Sequence, residues 1–430
     1  MSGLRRRIRS IALFEQLGPG LVTGAADDDP SGIATYSQTG ARFGYGLLWT
    51  MLLTYPLMSA IQLVSGEIGR VTGRGLARNM GRVIAAPLVT GLVALLFIAN
   101  TINIGADLAA MGAASQLWAG GGSHWFTAGF AILSLLLQMF VPYRRYVRFL
   151  AWLTLVLFAY VAVLMVVKLE WTQVGRGLIW PDPAVFRSKD AITTIVAIFG
   201  TTISPYLFFW QAAQEVEEVD QDDDALPLRS APEQARPELR RIKLDTFLGM
   251  AVSNLIALAI MIATAATLHA QGKTEIATAA DAAKALEPAA GHFAFLLFSL
   301  GIVGTGLLSI PVLAGSAAYA VGETRGWKCG LDKKPWEAVG FYAVIGAATL
   351  LGIGIDLAGI DPIKALFWSA VINGVIAVPM MVVMMLVVSR RDRMGGFTAG
   401  PWLKGFGWLA TAVMALAAGA MLVGTALGAT

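Results

Sequence analysis

Apolar runs about as long as a bilayer is thick alternate with short polar connectors along nearly the whole chain. A spanning helix needs about 20 predominantly apolar residues. Eleven stretches meet that ruler: 17–39, 47–67, 83–115, 125–141, 149–169, 190–211, 246–268, 292–321, 338–355, 363–388 and 402–427. The third and eighth exceed it, which implies tilt or extension beyond the bilayer. The pattern predicts an all-α integral membrane protein. It divides the chain into a segment 1–16, five spans over 17–169, a loop at 170–189, five spans over 190–388, and a loop with an eleventh helix at 389–430.

Two of the spans are interrupted. The first contains Gly18-Pro19-Gly20, then Asp27-Asp28-Asp29-Pro30-Ser31-Gly32. The sixth contains Thr201-Thr202-Ile203-Ser204-Pro205-Tyr206 in its middle. Each has a small polar residue followed by proline. That is how a helix begins: the side chain caps free N–H groups, and proline fills the first turn, where its missing donor costs nothing. A helix start in mid-span implies two half-helices with an unwound link. Pro30 and Pro205 stand 175 positions apart, each opening a set of five spans. Interrupted segments at matching places in two halves point to an inverted-repeat transporter with its site at the midplane.

The interruptions carry the chemistry. An ionised carboxylate near the bilayer centre costs roughly 2.5–3.5 kcal/mol on insertion scales. Three stand together here, and no Lys or Arg lies between Gly18 and Ala41. The missing positive charge is read as a bound cation. The first half-helices should end near Ala26 and Thr201, where freed carbonyls carry partial negative charge. Successive helical residues step about 100°, so Asp27, Asp28 and Asp29 cannot all face one point. Asp29, at the break, is the best ligand. Asp27 and Asp28 are expected to cap, line a water path or pair elsewhere. In the third span, Asp107 with Asn100, Thr101 and Asn103 either lines a pathway or hydrogen-bonds between helices.

Composition narrows the class. The chain of 430 residues is 56% hydrophobic and 14% charged, against about 25% charged in soluble domains. The single cysteine, Cys329, excludes a disulfide framework or thiolate cluster. No cofactor, nucleic-acid partner or obligate protein partner is indicated. The net charge of +4 comes mostly from short loops. Arg5, Arg6, Arg7 and Arg9 lie ahead of the first span. Arg70, Arg74, Arg78 and Arg82 follow the second, and Arg144, Arg145 and Arg148 follow the fourth. Arg325, Lys328, Lys333 and Lys334 follow the eighth; Arg390, Arg391 and Arg393 follow the tenth. All fall on one side, placing the N-terminus in the cytoplasm and the C-terminus outside a plasma membrane. The loop 215–243 is acidic first and basic later, and reads as a solvated loop or as a vestibule attracting cations. Glu67 is expected to pair with nearby arginines, and His269 and His292 read as loop residues.

These motifs resemble those of the NRAMP divalent-metal transporters. That family has Gly-Pro-Gly, eight residues, then Asp-Pro-Gly-Asn; this chain has Gly18-Pro19-Gly20, eight residues, then Asp29-Pro30-Ser31-Gly32. The second-span end, Ile68-Gly69-Arg70-Val71-Thr72-Gly73-Arg74-Gly75-Leu76-Ala77, and the third-span Asp107-Leu108-Ala109 also match. The resemblance implies a LeuT-like fold of five plus five inverted repeats and one added helix. It implies a metal held by Asp29, the Ala26 and Thr201 carbonyls, and side chains at positions 32 and 204. There this chain departs: Gly32 stands where the family has Asn, and Ser204 where it has Met. Two family histidines fall on Tyr206 and Gln211, an acidic residue on Ala110, and a tenth-span ligand on Ala370, with Asn373 one turn on.

A thioether favours softer metals over hard cations. Without it, and with a roomier cavity at Gly32, the set Asp29, Thr201, Thr202 and Ser204 suits a partly hydrated Mg²⁺, which usually keeps waters on one or two carboxylates. The pattern looks like the NRAMP-related magnesium transporters. The expected function is alternating-access transport of Mg²⁺, then Mn²⁺, with weak or no proton coupling. Asp27, Asp28, Asp107, Tyr206, Gln211 and Asn373 are expected along a water or proton route. The rivals are a proton-coupled Mn²⁺/Fe²⁺ transporter of the family and an organic-substrate symporter of the LeuT fold. No His-Glu-x-x-His or Gly-x-Ser-x-Gly motif supports an enzyme.

Overall fold

The structure, a computed structural model, describes residues 19–142, 150, 153–188 and 190–427. Every element among them is helical, with no strand. The first span is two helices, α1 (Pro19–Asp27) and α2 (Pro30–Phe43). Then come α3 (Trp49–Thr72), the short α4 (Leu76–Met80), α5 (Ala86–Ala119), α6 (Ser123–Phe140) and α7 (Phe158–Val166). After α8 (Trp171–Ile179), the sixth span is again two helices, α9 (Ala191–Thr202) and α10 (Pro205–Asp220). The chain continues through α11 (Ala235–Thr267), α12 (Ala294–Arg325), α13 (Val339–Leu357), α14 (Pro362–Ser389) and α15 (Pro401–Ala426). Eight stretches, counting α9 with α10 as one, are long and apolar enough to cross a membrane unaided. The other three expected spans are the broken α1–α2, the polar-faced α3, and the short α7 with its 3₁₀ turn Leu155–Leu157. This is the LeuT-like arrangement of five plus five spans and one more.

Two glycine contacts seat the first halves of the broken spans. A Cβ on Gly24 of α1 would stand 2.4 Å from the Gly249 carbonyl carbon of α11. One on Gly200 of α9 would stand 2.0 Å from the Ala370 carbonyl oxygen of α14. Neither backbone could approach so closely with a side chain in between.

Three expectations about connectors are corrected. The stretch 170–189 is not all loop but carries α8, which buries Val174 and Gly177 and leaves Trp171 and Ile179 exposed. The stretch 215–243 is partly helical: α10 runs to Asp220, short of Asp222, Asp223 and Asp224, and α11 starts at Ala235. Its first acid, Glu215, is fully buried and pairs with Arg241 at 2.6 Å, so it is no open cation trap. Among the described residues Glu67 forms no ion pair with an arginine: Arg70, near it in sequence, lies 3.4 Å from Glu238. The basic connectors do gather at one end, where Arg393 donates to the Arg82 carbonyl at 3.0 Å and Arg229 to the Arg393 carbonyl at 2.6 Å. Gly18, the arginines at 5, 6, 7 and 9, and Arg144, Arg145 and Arg148 lie outside the described residues.

Candidate functional site

The first break is built around Asp29. It has extended backbone (φ −70°, ψ 170°) and is the N-cap of α2, with Pro30 in the first turn. Its Oδ1 accepts from Gly32 N at 2.8 Å and Ser31 Oγ at 2.6 Å. Its Oδ2 accepts from Asn103 Nδ2 of α5 at 3.0 Å and the Tyr206 hydroxyl of α10 at 3.3 Å. That hydroxyl also lies 3.3 Å from the Ala26 carbonyl oxygen. Asp29, Ala26, Tyr206 and Asn103 are all buried, from three different spans. Tyr206, expected along a route, therefore stands in the site itself.

Asp27 and Asp28 turn the other way. Ser253 of α11 donates at 2.5 Å to Asp27 Oδ2 and lies 3.1 Å from Asp28 Oδ1. Two adjacent acids share one hydroxyl because α1 ends at Asp27, so the 100° helical step no longer separates them. Asp107 accepts from Ser309 of α12 at 2.9 Å. Among the described residues no Lys, Arg or His forms an ion pair with Asp27, Asp28, Asp29 or Asp107.

The second break differs from expectation. Ser204 is the N-cap of α10, yet its side chain makes no bond to the N–H groups ahead of it. It turns back, 2.6 Å from the Gly200 carbonyl oxygen and 2.9 Å from that of Thr201. Thr202 likewise donates to the Ile198 carbonyl at 2.9 Å. Ser204, just past the helix end, meets freed carbonyls of α9, while Thr202, its last residue, bonds back one turn within the helix. Thr201 alone of the three faces the first break: a Cβ on Gly32 would stand 3.1 Å from its Oγ1, 3.2 Å from Tyr36 Cε2 and 3.5 Å from the Asp27 carbonyl oxygen. Gly32 thus leaves no roomy void, since Thr201 and Tyr36 close over it.

Two route residues lie apart. Gln211 accepts from Thr23 at 2.6 Å and reaches Glu215 at 3.4 Å, which carries the line to Arg241 at the basic end. Asn373 is buried on α14 with neither amide atom hydrogen-bonded, one residue before Gly374, which packs on α9. Above the break, Ile33, Ala110, Ile276, Phe298 and Leu366 line an apolar cavity of about 10 Å³, scarcely one water. The four acids Asp27, Asp28, Asp29 and Asp107 are all buried. Ser253, Ser309 and Ser369, absent from the sequence-derived set, are buried hydroxyl side chains within long helices; such residues cross-link spans in a membrane.

A sequence model of the family described as Natural resistance-associated macrophage protein-like, Nramp, matches residues 20–424. The chain belongs to the Nramp family. It is 26% identical over 426 residues to a divalent metal cation transporter MntH of Klebsiella pneumoniae, covering 96% of this chain and 94% of that one. It is 28% identical over 329 residues to the MntH of Chromohalobacter salexigens, covering 72% and 69%. Among solved structures, an Eremococcus coleocola manganese transporter superposes with a TM-score of 0.75 at 17% identity, over 96% of this chain and 89% of that one. MhsT in complex with L-phenylalanine gives 0.61 at 13% identity, over 94% and 98%. Those two likenesses speak for the fold alone. Its MntH relatives are named divalent metal cation transporters, not enzymes.

Proposed function

We propose that this Nramp-family chain carries divalent metal cations across the membrane by alternating access, Mg²⁺ before Mn²⁺, with weak or no proton coupling. The observation that carries the reading is Asp29: a buried carboxylate at a helix break, with the Ala26 carbonyl and the Tyr206 hydroxyl beside it and no ion pair to Lys, Arg or His among the described residues. Asp29, the Ala26 carbonyl and Thr201 are the ligands; Ser204 and Thr202 join only after turning from their own carbonyls, and Gly32 keeps a side chain out of the way. All these donors are oxygen, the set hard cations take, and a partly hydrated Mg²⁺ needs few of them. Weak coupling follows from Tyr206, Gln211 and Ala110, none of which offers a proton carrier of ordinary acidity. The N-terminus is assigned to the cytoplasm by the basic connectors. Asp27 and Asp28 line the approach to Asp29.

One observation favours a second reading, a manganese carrier: the Met111 thioether and Pro30 flank the same Gly306, where a Cβ would meet them at 2.4 Å and 3.4 Å. A sulfur so near the break could serve a softer metal. Proteoliposome uptake of Mn²⁺ with Mg²⁺ as competitor, with internal pH recorded, tests both. Competition by Mg²⁺ without acidification supports the first reading. Failure of Mg²⁺ to compete, with loss of Mn²⁺ uptake in Met111→Leu, supports the second.

A further inference from the structure

A carboxamide has two faces, one donating and one accepting, and a half-turn about its last bond exchanges them with almost no change in shape. Asn103 of α5 is fully buried and uses both faces. Its Nδ2 donates to Asp29 Oδ2 at 3.0 Å, and its Oδ1 accepts from Ser369 Oγ of α14 at 2.6 Å. The orientation follows from charge: an ionised Asp29 needs a donor, so the amide must present N–H. A cation seated on Asp29 reverses that demand. The N–H would then point at positive charge, while the carbonyl oxygen, the better ligand, would face away.

Ser369 removes the obstacle to turning. Its hydroxyl lies 2.7 Å from the Leu366 carbonyl oxygen as well as 2.6 Å from Asn103. A hydroxyl can both donate and accept. With its proton given to Leu366, Ser369 can accept from Asn103 Nδ2, and no buried polar group is left unpaired by the half-turn. An unpaired buried donor is costly, so a partner that serves both orientations is what permits the turn.

We propose that Asn103 is a reversible cation ligand: its amide N–H holds Asp29 in the free site, and its Oδ1 coordinates the ion after a half-turn pivoting on Ser369. This rests on the reading of Asp29 as the cation site. The turn also hands the binding event to α14, because Ser369 must shift its proton between Asn103 and its own helix.

The test is cation binding to purified, detergent-solubilised full-length protein by calorimetry, with Mg²⁺ and Mn²⁺ as the probes, on Asn103→Leu and Asn103→Asp. Leucine matches the shape but offers neither face; aspartate offers acceptors and no donor. A ligating oxygen predicts about tenfold or greater weakening in Asn103→Leu and affinity within about threefold of wild type, or tighter, in Asn103→Asp. If Asn103 serves only as a donor to Asp29, Asn103→Asp loses as much as Asn103→Leu, and the proposal falls. Because a new charge alone could raise affinity, a second measurement uses wild-type protein labelled with [¹³C]asparagine. Infrared difference spectra on adding Mg²⁺ should show one carboxamide carbonyl band shifting down, absent in Asn103→Leu; an unmoved band overturns the ligand role. If the wild-type protein binds neither cation, or Asp29→Ala binds as well as wild type, the underlying site reading fails instead. Thermal unfolding in detergent keeps misfolded variants out of the comparison.

Discussion

The two broken spans share a backbone plan and differ in chemistry. Both place a polar residue and a proline at the start of the second half-helix, and both seat the first half on a neighbouring backbone through a glycine, Gly24 on Gly249 and Gly200 on Ala370. At the first break the cap is an acid that faces forward and gathers donors from α2, α5 and α10. At the second the cap is a serine that folds back on the preceding half-helix, α9. The first break therefore carries the charge. The second contributes mainly through Thr201, which leans toward Gly32, and Tyr206, which crosses to Ala26 and Asp29. Pseudo-symmetric backbones do not imply symmetric sites: the acid needs outside donors because its charge is expensive in a membrane, whereas a hydroxyl is satisfied by the nearest carbonyl.

Exchanging the caps is the sharpest way to break this comparison. Asp29→Ser should lower Mn²⁺ and Mg²⁺ uptake into proteoliposomes by about a hundredfold or more, the scale of losing a charged partner of about 3 kcal/mol. The double exchange Asp29→Ser with Ser204→Asp should not restore it, because Asn103 bonds to the first break. Restored uptake would mean the acid matters and its address does not.

The glycine contacts come next. Gly24→Val and Gly200→Val should each cost about 1–3 kcal/mol, the usual range for overpacking, read as a lower unfolding temperature in detergent. Equal losses would support matched seats for the two half-helices; a loss confined to one would show that only one is rigid. A smaller effect is expected from Tyr206→Phe, which keeps the ring and removes the hydroxyl bridging the breaks. Apparent cation affinity should weaken about threefold to tenfold, the worth of one or two ordinary hydrogen bonds. Unchanged affinity would uncouple the two breaks. Smallest of all, Ser204→Ala should change uptake by no more than about twofold, since its hydroxyl bonds only the preceding half-helix here. A large loss would mean that Ser204 turns toward the ion during the cycle.

Much of the fold was legible in the sequence because a bilayer leaves few options. Backbone groups in lipid must be paired within the segment, so long apolar runs have to be helices. Prolines preceded by small polar residues marked the two breaks to within a residue or so: α1 ends at Asp27 and α9 at Thr202, against expected ends near Ala26 and Thr201. Polar connectors were read less well. The charges of 215–243 looked like a loop, but Glu215 and Arg241 satisfy each other and let both helices extend.

The site was legible only in part. Asp29 stood out because an acid without a nearby base is costly in a membrane whatever its surroundings. Its partners did not stand out: Asn103 is 74 positions away, and Ser253 lies 226 positions from Asp27. Ser204 and Thr202 had the right chemistry in the right place, and local bonds to backbone carbonyls of α9 took them out of it. Gly32 suggested space, and Thr201 from the sixth span and Tyr36 one turn along the same helix fill it.

By itself, then, the sequence determined the class, the spans, the two breaks and the acid at the first, because each follows from the local cost of polar groups in hydrocarbon. Only the tertiary structure decided which donor meets which carboxylate. That depends on how each helix is rotated about its axis and how deep it sits. Both are set by backbone contacts such as Gly24 on Gly249, made between residues hundreds of positions apart.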